Sequence, residues 1–328
     1  MAARTAFVTG ATGLVGINLV TSLKNDGWSV VALHRPTSNL KYLKPLGATL
    51  VEGSIADKES LRRAMPEAPD VVFHVAANLS LARKGDAAQT RDNVEGTRNV
   101  VELSIEKRAR RLVHTSSVAA YGFHRSLISE ATRTNALEVP VNYTRTKYLA
   151  EEEVRAGIRR GLDAVILNPA NILGPYDAHG WARMIRLVAS GKLPGVPSGG
   201  GAFCHVHEVA KAHVAAAERG RTGEHYLLGG VHATYLEVAA MAATLTGGKA
   251  PARAMPPWLF TLLSRVLPAV SLLSGRPADI TPEVALMLNL DFSVDSSKAE
   301  RDLGYRQVPL REMVEDSCRW LKAAGLIP

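Results

Sequence analysis

The sequence predicts an α/β protein with a doubly wound parallel sheet and a smaller, mostly helical C-terminal substrate lobe. Through the first half of the 328 residues, short apolar runs alternate with amphipathic stretches of helical length. This alternation is typical of βαβ units. After Pro169 the composition changes, and proline, glycine and aromatic residues become frequent. The second lobe is therefore expected to begin near this point.

Each predicted strand is a nearly continuous run of Val, Ile and Leu, as expected for strands buried on both faces of a parallel sheet. A last run is expected to return to the same sheet from the second half of the chain. The predicted strands are Ala6–Thr9, Val30–Leu33, Thr49–Val51, Val71–Val75, Leu112–Thr115, Ala164–Leu167 and, as the returning strand, His225–Leu228.

Amphipathic stretches between and after these strands predict helices. They are Leu14–Asn25, Lys58–Met65, Asn93–Lys107, Asn142–Arg160 and Pro309–Ala323. The expected nucleotide-binding domain spans residues 1–172, with a returning segment near 203–230. The expected substrate-binding lobe comprises residues 173–202 and 231–328.

The composition is that of an ordinary globular enzyme, with 46% hydrophobic and 21% charged residues. Cys204 and Cys318 lie far apart without C-x-x-C spacing, which predicts buried thiols and neither a disulfide framework nor a zinc cluster. The N-terminal residues enter a strand pattern at once, so we expect no signal peptide and a cytoplasmic location.

A net charge of +8 raises the question of binding to nucleic acid or to an anionic membrane surface, for which the local candidate is the basic run at Lys107, Arg108, Arg110 and Arg111. The run falls where a predicted helix ends, a position that suits cations. No aromatic residue is interleaved with it for base stacking. We therefore expect no nucleic acid partner, and the positive charge suits a multiply phosphorylated cofactor.

The segment Pro256–Ser274 is apolar, but Arg265 and Pro268 interrupt it. No unbroken run reaches the length of a membrane-spanning helix. We expect a pair of short helices that cover an apolar pocket, which would make the substrate apolar there. Anchoring at a membrane interface is the alternative.

A glycine-rich loop follows the first predicted strand and opens the first helix. Such a loop allows a tight turn and brings backbone close to a pyrophosphate at the helix N-terminus. The predicted cofactor-binding residues of this loop are Gly10, Thr12, Gly13, Leu14, Val15 and Gly16.

The spacing G-x-x-G-x-x-G in TGATGLVG resembles the short-chain dehydrogenase/reductase superfamily, and in particular its extended branch. This resemblance implies a Rossmann-type domain and an NAD(P) cofactor. An acidic residue at the end of the second strand would bind the adenosine ribose and indicate NAD. Arg35 and Ser38 stand there instead, and a guanidinium suits a 2′-phosphate, so we predict NADP rather than NAD.

Two further elements resemble cofactor-binding parts of the family. Gly53-Ser54-Ile55 corresponds to a Gly-Asp-hydrophobic element that contacts adenine, with Ser54 in place of the Asp. The sequence HVAA, which contains Ala76 and Ala77, resembles the loop that passes under the cofactor.

Tyr143 and Lys147 form a Tyr-x-x-x-Lys element within a predicted helix. Residues four apart share one helical face, so phenol and ammonium can project into the same space. A nearby cation lowers the pKa of a phenol towards neutrality. This pair is predicted to transfer the proton.

The resemblance to the extended family implies roles for further residues. Ser117, before Tyr121-Gly122, corresponds to the hydroxyl that orients the substrate oxygen, and Asn93 to the residue that supports a water beside Lys147. A helix-capping role for Asn93 is equally open. Pro169 and Asn171 belong to a segment that resembles the loop beside the nicotinamide.

His205 and His207 lie in a stretch that resembles the family's His-Val-x-Asp-Val-Ala element, with His207 and Glu208 as departures. On a strand they would face the same side and could suggest metal ligands. No further Cys or Asp completes a site in the sequence, so no metal is expected.

Among the extended enzymes, Arg35, the HVAA loop and Asn168-Pro169 most resemble dihydroflavonol reductases and 3β-hydroxysteroid dehydrogenases. The predicted function is NADP-dependent hydride transfer to or from a ketone, aldehyde or alcohol of an apolar small molecule. A sugar-nucleotide epimerase or dehydratase with bound NAD is one alternative, for which Arg183 and Arg186 could bind a diphosphate. A non-catalytic NADP-binding sensor is another. A homodimer is expected, as in many relatives.

Overall fold

The computed structural model describes residues 3–80, 85–274 and 281–328. Its strands are β1 (Thr5–Thr9), β2 (Ser29–His34), β3 (Thr49–Glu52), β4 (Val71–His74), β5 (Arg111–Thr115), β6 (Leu127–Ile128), β7 (Ala164–Pro169), β8 (Asn171–Leu173), β9 (Gly200–His205), β10 (His225–Leu228), β11 (Val231–Thr234) and β12 (Ser293–Val294). Its helices are α1 (Leu14–Asn25), α2 (Lys58–Ala64), α3 (Asp86–Thr90), α4 (Gly96–Glu106), α5 (Asn142–Arg159), α6 (Trp181–Ala189), α7 (Val206–Arg219), α8 (Tyr235–Thr246), α9 (Pro257–Ser274), α10 (Pro282–Leu288), α11 (Ser297–Leu303) and α12 (Leu310–Ala323).

Seven parallel strands form the central sheet in the order β3-β2-β1-β4-β5-β7-β10. The order reverses at β1, which is the switch point of a doubly wound fold. The carboxyl ends of β1 and β4 meet at this edge, with Thr9 in register with His74. The predicted fold class is confirmed, and the predicted returning strand is β10.

Apolar side chains cover both faces of this sheet, which explains why its strands are continuous apolar runs in the sequence. On one face, Leu19 and Leu23 of α1 pack in a buried cluster with Ala216 of α7. On the other face, Leu61 of α2 and Val154 of α5 pack with residues of α4. Helices on both faces close the sheet from water.

A separate hydrophobic cluster lies outside the sheet layers. It joins Ile185 of α6, Val238 of α8 and Met313 of α12 to Phe203 of β9. The three-stranded sheet β11-β9-β8 borders this cluster, and β12 pairs with β6. Strands β6, β8, β9, β11 and β12 were not predicted from the sequence. The division of the chain into two domains at the residues given above stays a prediction.

Two helical predictions need correction. The predicted helix Asn93–Lys107 is the later part of a longer helical stretch, in which the π-helical turn Arg91–Glu95 joins α3 to α4. The segment predicted as two short helices is one helix, α9, whose side chains are described up to Leu267.

The structure also describes other residues that the sequence analysis singled out. Both cysteines are buried free thiols. Of the basic run, Lys107 pairs with Glu67, and Arg111 pairs with Asp163 at 2.8 Å. Among the described residues, no helix is both long and apolar enough to cross a bilayer.

Candidate active site

The glycine-rich loop lies between β1 and α1, and two of its glycines are required by close packing. Gly10 has φ 68°, and a Cβ there would lie 2.5 Å from the backbone nitrogen of Ala76. A Cβ on Gly16 would lie 2.1 Å from the Gly10 carbonyl oxygen. A side chain at position 10 would displace the loop after β4, and one at position 16 would push the first helix away from the glycine-rich loop.

Gly13 differs, because a Cβ there would meet only the Gly10 oxygen, at an ordinary 3.4 Å. It is exposed and stands at the N-cap of α1 without a side-chain cap. The helix therefore presents open backbone N–H groups beside a surface without side chains. Such a surface fits an anionic ligand in close contact with the backbone, as a dinucleotide pyrophosphate requires.

Arg35 follows β2 directly, at the carboxyl edge of the sheet. Its backbone forms a turn with Ser38, whose hydroxyl accepts a hydrogen bond of 3.1 Å from the Arg35 N–H. The Arg35 side chain is exposed. The structure thus places a guanidinium at the strand end where a ribose-phosphate contact was expected from the sequence.

Ser54 and Ile55 lie in the turn after β3. The Ser54 hydroxyl accepts from the Ala56 N–H at 3.3 Å, so part of its hydrogen-bonding capacity serves the turn. Ile55 is tied to α4, where the side chain of Asn99 donates to its carbonyl oxygen at 2.9 Å.

Ser117, Tyr143 and Lys147 come together at the carboxyl end of β5. Ser117 caps a 3₁₀ turn directly after this strand, where its hydroxyl accepts from the Ala119 N–H at 3.2 Å, and its side chain lies beside that of Tyr143. Lys147 lies one turn later on α5, is buried, and donates to the Thr115 carbonyl oxygen at 3.0 Å. The sequence predicted this constellation, and the structure assembles it.

The electrostatics of the pair suit a proton donor. Burial raises the pKa of Tyr143 and the Ser117 side chain opposes that rise, so the lowering of this pKa towards neutrality that the sequence predicted is not found. Burial lowers the pKa of Lys147 to about 8, against the attraction of Glu151. Near neutral pH the phenol is therefore protonated, and the neighbouring amine still carries its charge.

Asn93 is buried in the π-helical turn and does not cap a helix. Its side-chain oxygen accepts from the Asn78 N–H at 2.7 Å. Its amide donates to the Asn78 carbonyl at 3.0 Å and to the Thr146 hydroxyl at 3.1 Å. Asn93 thus fastens the loop after β4 to α5, next to Lys147.

A chain of hydrogen bonds through the buried His74 supports this arrangement. Thr97 donates to the Asn93 carbonyl at 2.6 Å, so its oxygen accepts from His74 Nε2 at 2.9 Å. His74 Nδ1 then accepts from Thr9 Oγ1 at 2.8 Å, and Thr9 accepts from the Ala76 N–H at 3.3 Å. Desolvation lowers the pKa of His74 to about 3, which keeps it neutral.

The loop of Ala76 and Ala77 is thereby held against the glycine loop through Thr9. Its small side chains leave the backbone accessible at the carboxyl end of β4. The sequence pointed to this loop but not to the histidine that fixes it, because a buried His in an apolar strand gives no sign of its partners.

A second buried network joins α5 to β7, and it was not predicted from the sequence. Glu151 accepts from the Ser116 hydroxyl at 2.6 Å and from Arg155 at 3.0 Å. It also accepts from the Asn168 amide at 2.7 Å, and the same amide donates to the Ser117 carbonyl at 3.0 Å. In the sequence, this network could have been suspected from the spacing of four residues between Lys147 and Glu151, which places both on one face of the helix.

Pro169 ends β7, and Asn171 begins β8. The Asn171 amide donates to the Ala202 carbonyl at 3.1 Å and so ties β8 to β9. The side-chain nitrogen of Asn171 is therefore already hydrogen bonded within the protein. Contact of a cofactor with the backbone of Asn171 and with Pro169 stays a prediction.

His205 and His207 do not share a strand, because His205 ends β9 and His207 lies in α7. The expectation that no further acidic residue joins them was wrong, because one nitrogen of each ring and an oxygen of Asp316 on α12 lie within 4.8 Å of one another. His205 Nδ1 accepts from the His207 N–H at 3.1 Å, which leaves the proton on Nε2, 3.2 Å from Asp316. A protonated nitrogen facing the carboxylate is unsuited to binding a metal.

Comparison with known proteins shows the family to which this chain belongs. The sequence model of the NAD dependent epimerase/dehydratase family matches residues 6–229. The chain belongs to this family. A protein of Synechocystis sp. with the provisional name dihydroflavonol 4-reductase is 32% identical over 98% of this chain and 95% of its own length.

Sterol demethylase protein B of Methylococcus capsulatus is also 32% identical, over 98% of this chain and 100% of its own length. Among solved structures, gox2253 is similar with a TM-score of 0.86 and 32% identity, covering 99% of this chain and 100% of that chain. The resemblance drawn from the motifs is confirmed. The chain is an NAD(P)-dependent oxidoreductase of the extended short-chain dehydrogenase/reductase type.

Proposed function

We propose that the protein is an NADP-dependent reductase of a ketone or aldehyde carried by a largely apolar small molecule. The observation that carries this proposal is the partly buried Tyr143 side chain beside Ser117, with the buried Lys147 ammonium one turn away on α5. A phenol whose pKa is raised is a proton donor, which is the group that a carbonyl reduction needs.

When bound, the reduced nicotinamide would supply the hydride to the carbonyl carbon. The Ser117 hydroxyl donates a hydrogen bond to the substrate oxygen and holds it beside Tyr143. As charge develops on that oxygen, Tyr143 transfers its proton to it and becomes a phenolate. The Lys147 cation stabilises this phenolate. Asn93 holds α5 in place against the loop after β4.

The preference for NADP is a proposal that rests on Arg35. Its exposed guanidinium stands at the carboxyl end of β2, and no acidic residue occupies residues 34–38. A ribose hydroxyl would need an acceptor there, whereas a 2′-phosphate would need a donor.

The homodimer and the cytoplasmic location also stay predictions. Tyr148 and Leu149 on α5 are partly exposed, which leaves apolar surface for a second copy. Light scattering of the purified protein would measure its mass in solution.

A sugar-nucleotide epimerase or dehydratase is the second candidate, supported by one feature. An open cavity of about 540 Å³ beside α6 is lined by His179, Arg183 and Arg186, among others. Cations and a histidine could bind a nucleotide diphosphate.

One experiment separates these candidates. NADPH and NADH oxidation by the purified protein would be followed with a panel of ketones, aldehydes and nucleotide sugars. We expect turnover of apolar carbonyls with NADPH, and a loss of about 100-fold or more in Tyr143→Phe with cofactor binding retained. Conversion of a nucleotide sugar with NAD retained through purification, and no carbonyl turnover, would support the epimerase instead.

A further inference from the structure

The outward face of α9 is apolar and exposed. Trp258, Leu262 and Val266 are 69%, 51% and 47% exposed. Their spacing of four residues places them on one side of the helix. Three large apolar side chains in a row on a surface helix indicate a surface that meets something other than water.

The opposite side of the same helix packs against the protein. Phe260 and Ser264 are 4% and 0% exposed, and they lie across the helix axis from Trp258 and Val266. The apolar row therefore points away from the protein body. Leu286 on the neighbouring α10 is 45% exposed and enlarges the apolar surface.

The charged side chains in the chain segment around this row have one sign, and Glu283, the acid on the neighbouring α10, is buried. Residues 238–278 contain no Asp or Glu, while Lys249, Arg253 and Arg265 are exposed. Arg265 lies on the helix beside the apolar row, since it is three residues from Leu262 and adjacent to Val266. The whole chain carries a net charge of +8.

We propose that this face binds the surface of an anionic phospholipid bilayer, with α9 lying in the plane of the headgroups. Apolar side chains that include a tryptophan enter the boundary of the acyl chains, and the flanking cations meet the anionic headgroups. The protein binds at the surface without crossing it. A reductase placed there would take an apolar substrate from the membrane, and only this last step rests on the proposed function.

A second copy of the chain fits this face less well. A symmetric contact would bring Arg253 and Arg265 of both copies towards each other with no acid in the segment to separate them. An anionic surface offers the opposite sign. Charge complementarity therefore selects the membrane as the partner.

Vesicle flotation of the full-length protein tests the proposal. We expect the protein to float with vesicles of phosphatidylcholine containing about one third phosphatidylglycerol, and at least about tenfold less with phosphatidylcholine alone. The variant Trp258→Ser/Leu262→Ser/Val266→Ser should lose binding by about tenfold or more. These side chains are exposed, so thermal unfolding should be unchanged and verifies that the variant is folded.

Two charge-reversal variants distinguish attraction by this face from attraction by the net charge of the whole protein. Arg253→Glu/Arg265→Glu should reduce binding to the anionic vesicles. Arg108→Glu/Arg110→Glu changes the net charge equally on exposed residues after α4 and should bind nearly as the wild type does. Equal losses in both variants would overturn the proposal, since attraction would then not depend on this face.

Three other results would also overturn it. They are failure of the wild type to float with anionic vesicles, undiminished flotation of the triple serine variant, and conversion of a dimer to a monomer by that variant without a change in vesicle binding. None of these measurements depends on turnover, so failure here leaves the reductase proposal standing.

Discussion

The carboxylate of Glu151 accepts a hydrogen bond of 2.7 Å from the amide of Asn168. Because that amide also donates to the Ser117 carbonyl, the helix that carries Tyr143 and Lys147 is tied to the loop that carries Ser117. The three groups assigned to the chemistry thus share one buried support.

Glu151→Gln should shift the pH dependence of carbonyl reduction. Glu151 raises the pKa of Lys147 against the larger effect of burial, so its neutralisation lowers that pKa further from about 8. The alkaline decline of kcat should move to lower pH, because the ammonium is lost earlier. Measurement of kcat against pH checks this.

Glu152→Gln is the matched control. Glu152 is the next residue, is partly exposed and pairs with Arg155. Its pH profile should follow that of the wild type. A Glu151→Gln profile that merely falls in height, with no shift along pH, would assign Glu151 a structural role only.

Lys147→Met should stabilise the protein while abolishing reduction. The pKa of Lys147 is about 8 in the folded protein, against its ordinary value of 10.5, so the unfolded chain binds more protons between these pH values. The free energy of unfolding therefore rises with pH between these two pKa values. Below the lower value, the destabilisation by the buried charge is fully present. The variant should gain about 1–3 kcal/mol near neutral pH.

Urea unfolding at neutral pH and near pH 10 would measure this gain. The advantage of the variant should shrink as pH rises through the window. A variant less stable than the wild type at neutral pH would contradict the interpretation.

Gly13→Ala and Gly16→Ala should behave differently, although they belong to one motif. Alanine at position 13 has room and an ordinary φ of −87°, so the protein should fold with unchanged stability but bind NADPH more weakly. Alanine at position 16 would meet the Gly10 oxygen at 2.1 Å and should destabilise the fold by several kcal/mol, roughly 3 or more. Thermal unfolding and a fluorescence titration with NADPH separate the two effects. Full cofactor affinity in Gly13→Ala would mean that no ligand approaches there.

Arg35→Ala should lower the preference for NADPH over NADH by about tenfold or more, since a bidentate phosphate contact is lost. The ratio of kcat/KM for the two cofactors measures this. Arg159→Ala, on an exposed arginine at the end of α5, should leave the ratio unchanged. An unchanged ratio in Arg35→Ala would remove the basis for NADP specificity.

Acid should destabilise the protein through His213. This buried side chain donates from Nδ1 to the Val209 carbonyl at 2.7 Å, and its Nε2 lies 2.7 Å from Thr115 Oγ1. Burial lowers its pKa to about 4, from an ordinary value of 6.5. On acidification the unfolded chain therefore binds a proton at a higher pH than the folded protein does. The stability that is present above pH 6.5 is lost as the pH falls towards 4. The loss should reach about 2 kcal/mol near pH 5.

Urea unfolding at about pH 7.5 and pH 5 would compare the wild type with His213→Gln. The wild type should lose more stability than the variant on acidification. His232→Gln, at a half-exposed position, is the control and should lose as much as the wild type. Equal losses in wild type and His213→Gln would contradict the prediction.

The sequence predicted the central sheet well, and for a physical reason. Strands covered on both faces must be apolar throughout, so runs such as Ala164–Leu167 stand out without any knowledge of their neighbours. Helix α1 and strand β10 were predicted at their observed bounds. The short strands outside this sheet, such as β8, were missed because a run of three residues shows no clear pattern and is defined only by its pairing partners.

The placement of the candidate catalytic pair was also predictable, because Tyr143 and Lys147 are one helical turn apart and their spacing is a local property. Their support was not. Glu151 and Asn168 meet across α5 and β7, and His74 contacts residues of β1 and α4, which no local pattern relates. Likewise, α9 is an interrupted apolar run in the sequence, and only its packing shows that Trp258 faces outward while Phe260 faces the core.

The sequence by itself predicted which residues are candidates for the chemistry and on which kind of element each one lies, since periodicity, turns and charge are local properties of the chain. The tertiary structure alone decided which buried polar groups satisfy one another, which glycines leave room for a ligand, and which apolar side chains remain exposed. Those properties depend on contacts between residues far apart in the chain, and folding creates them.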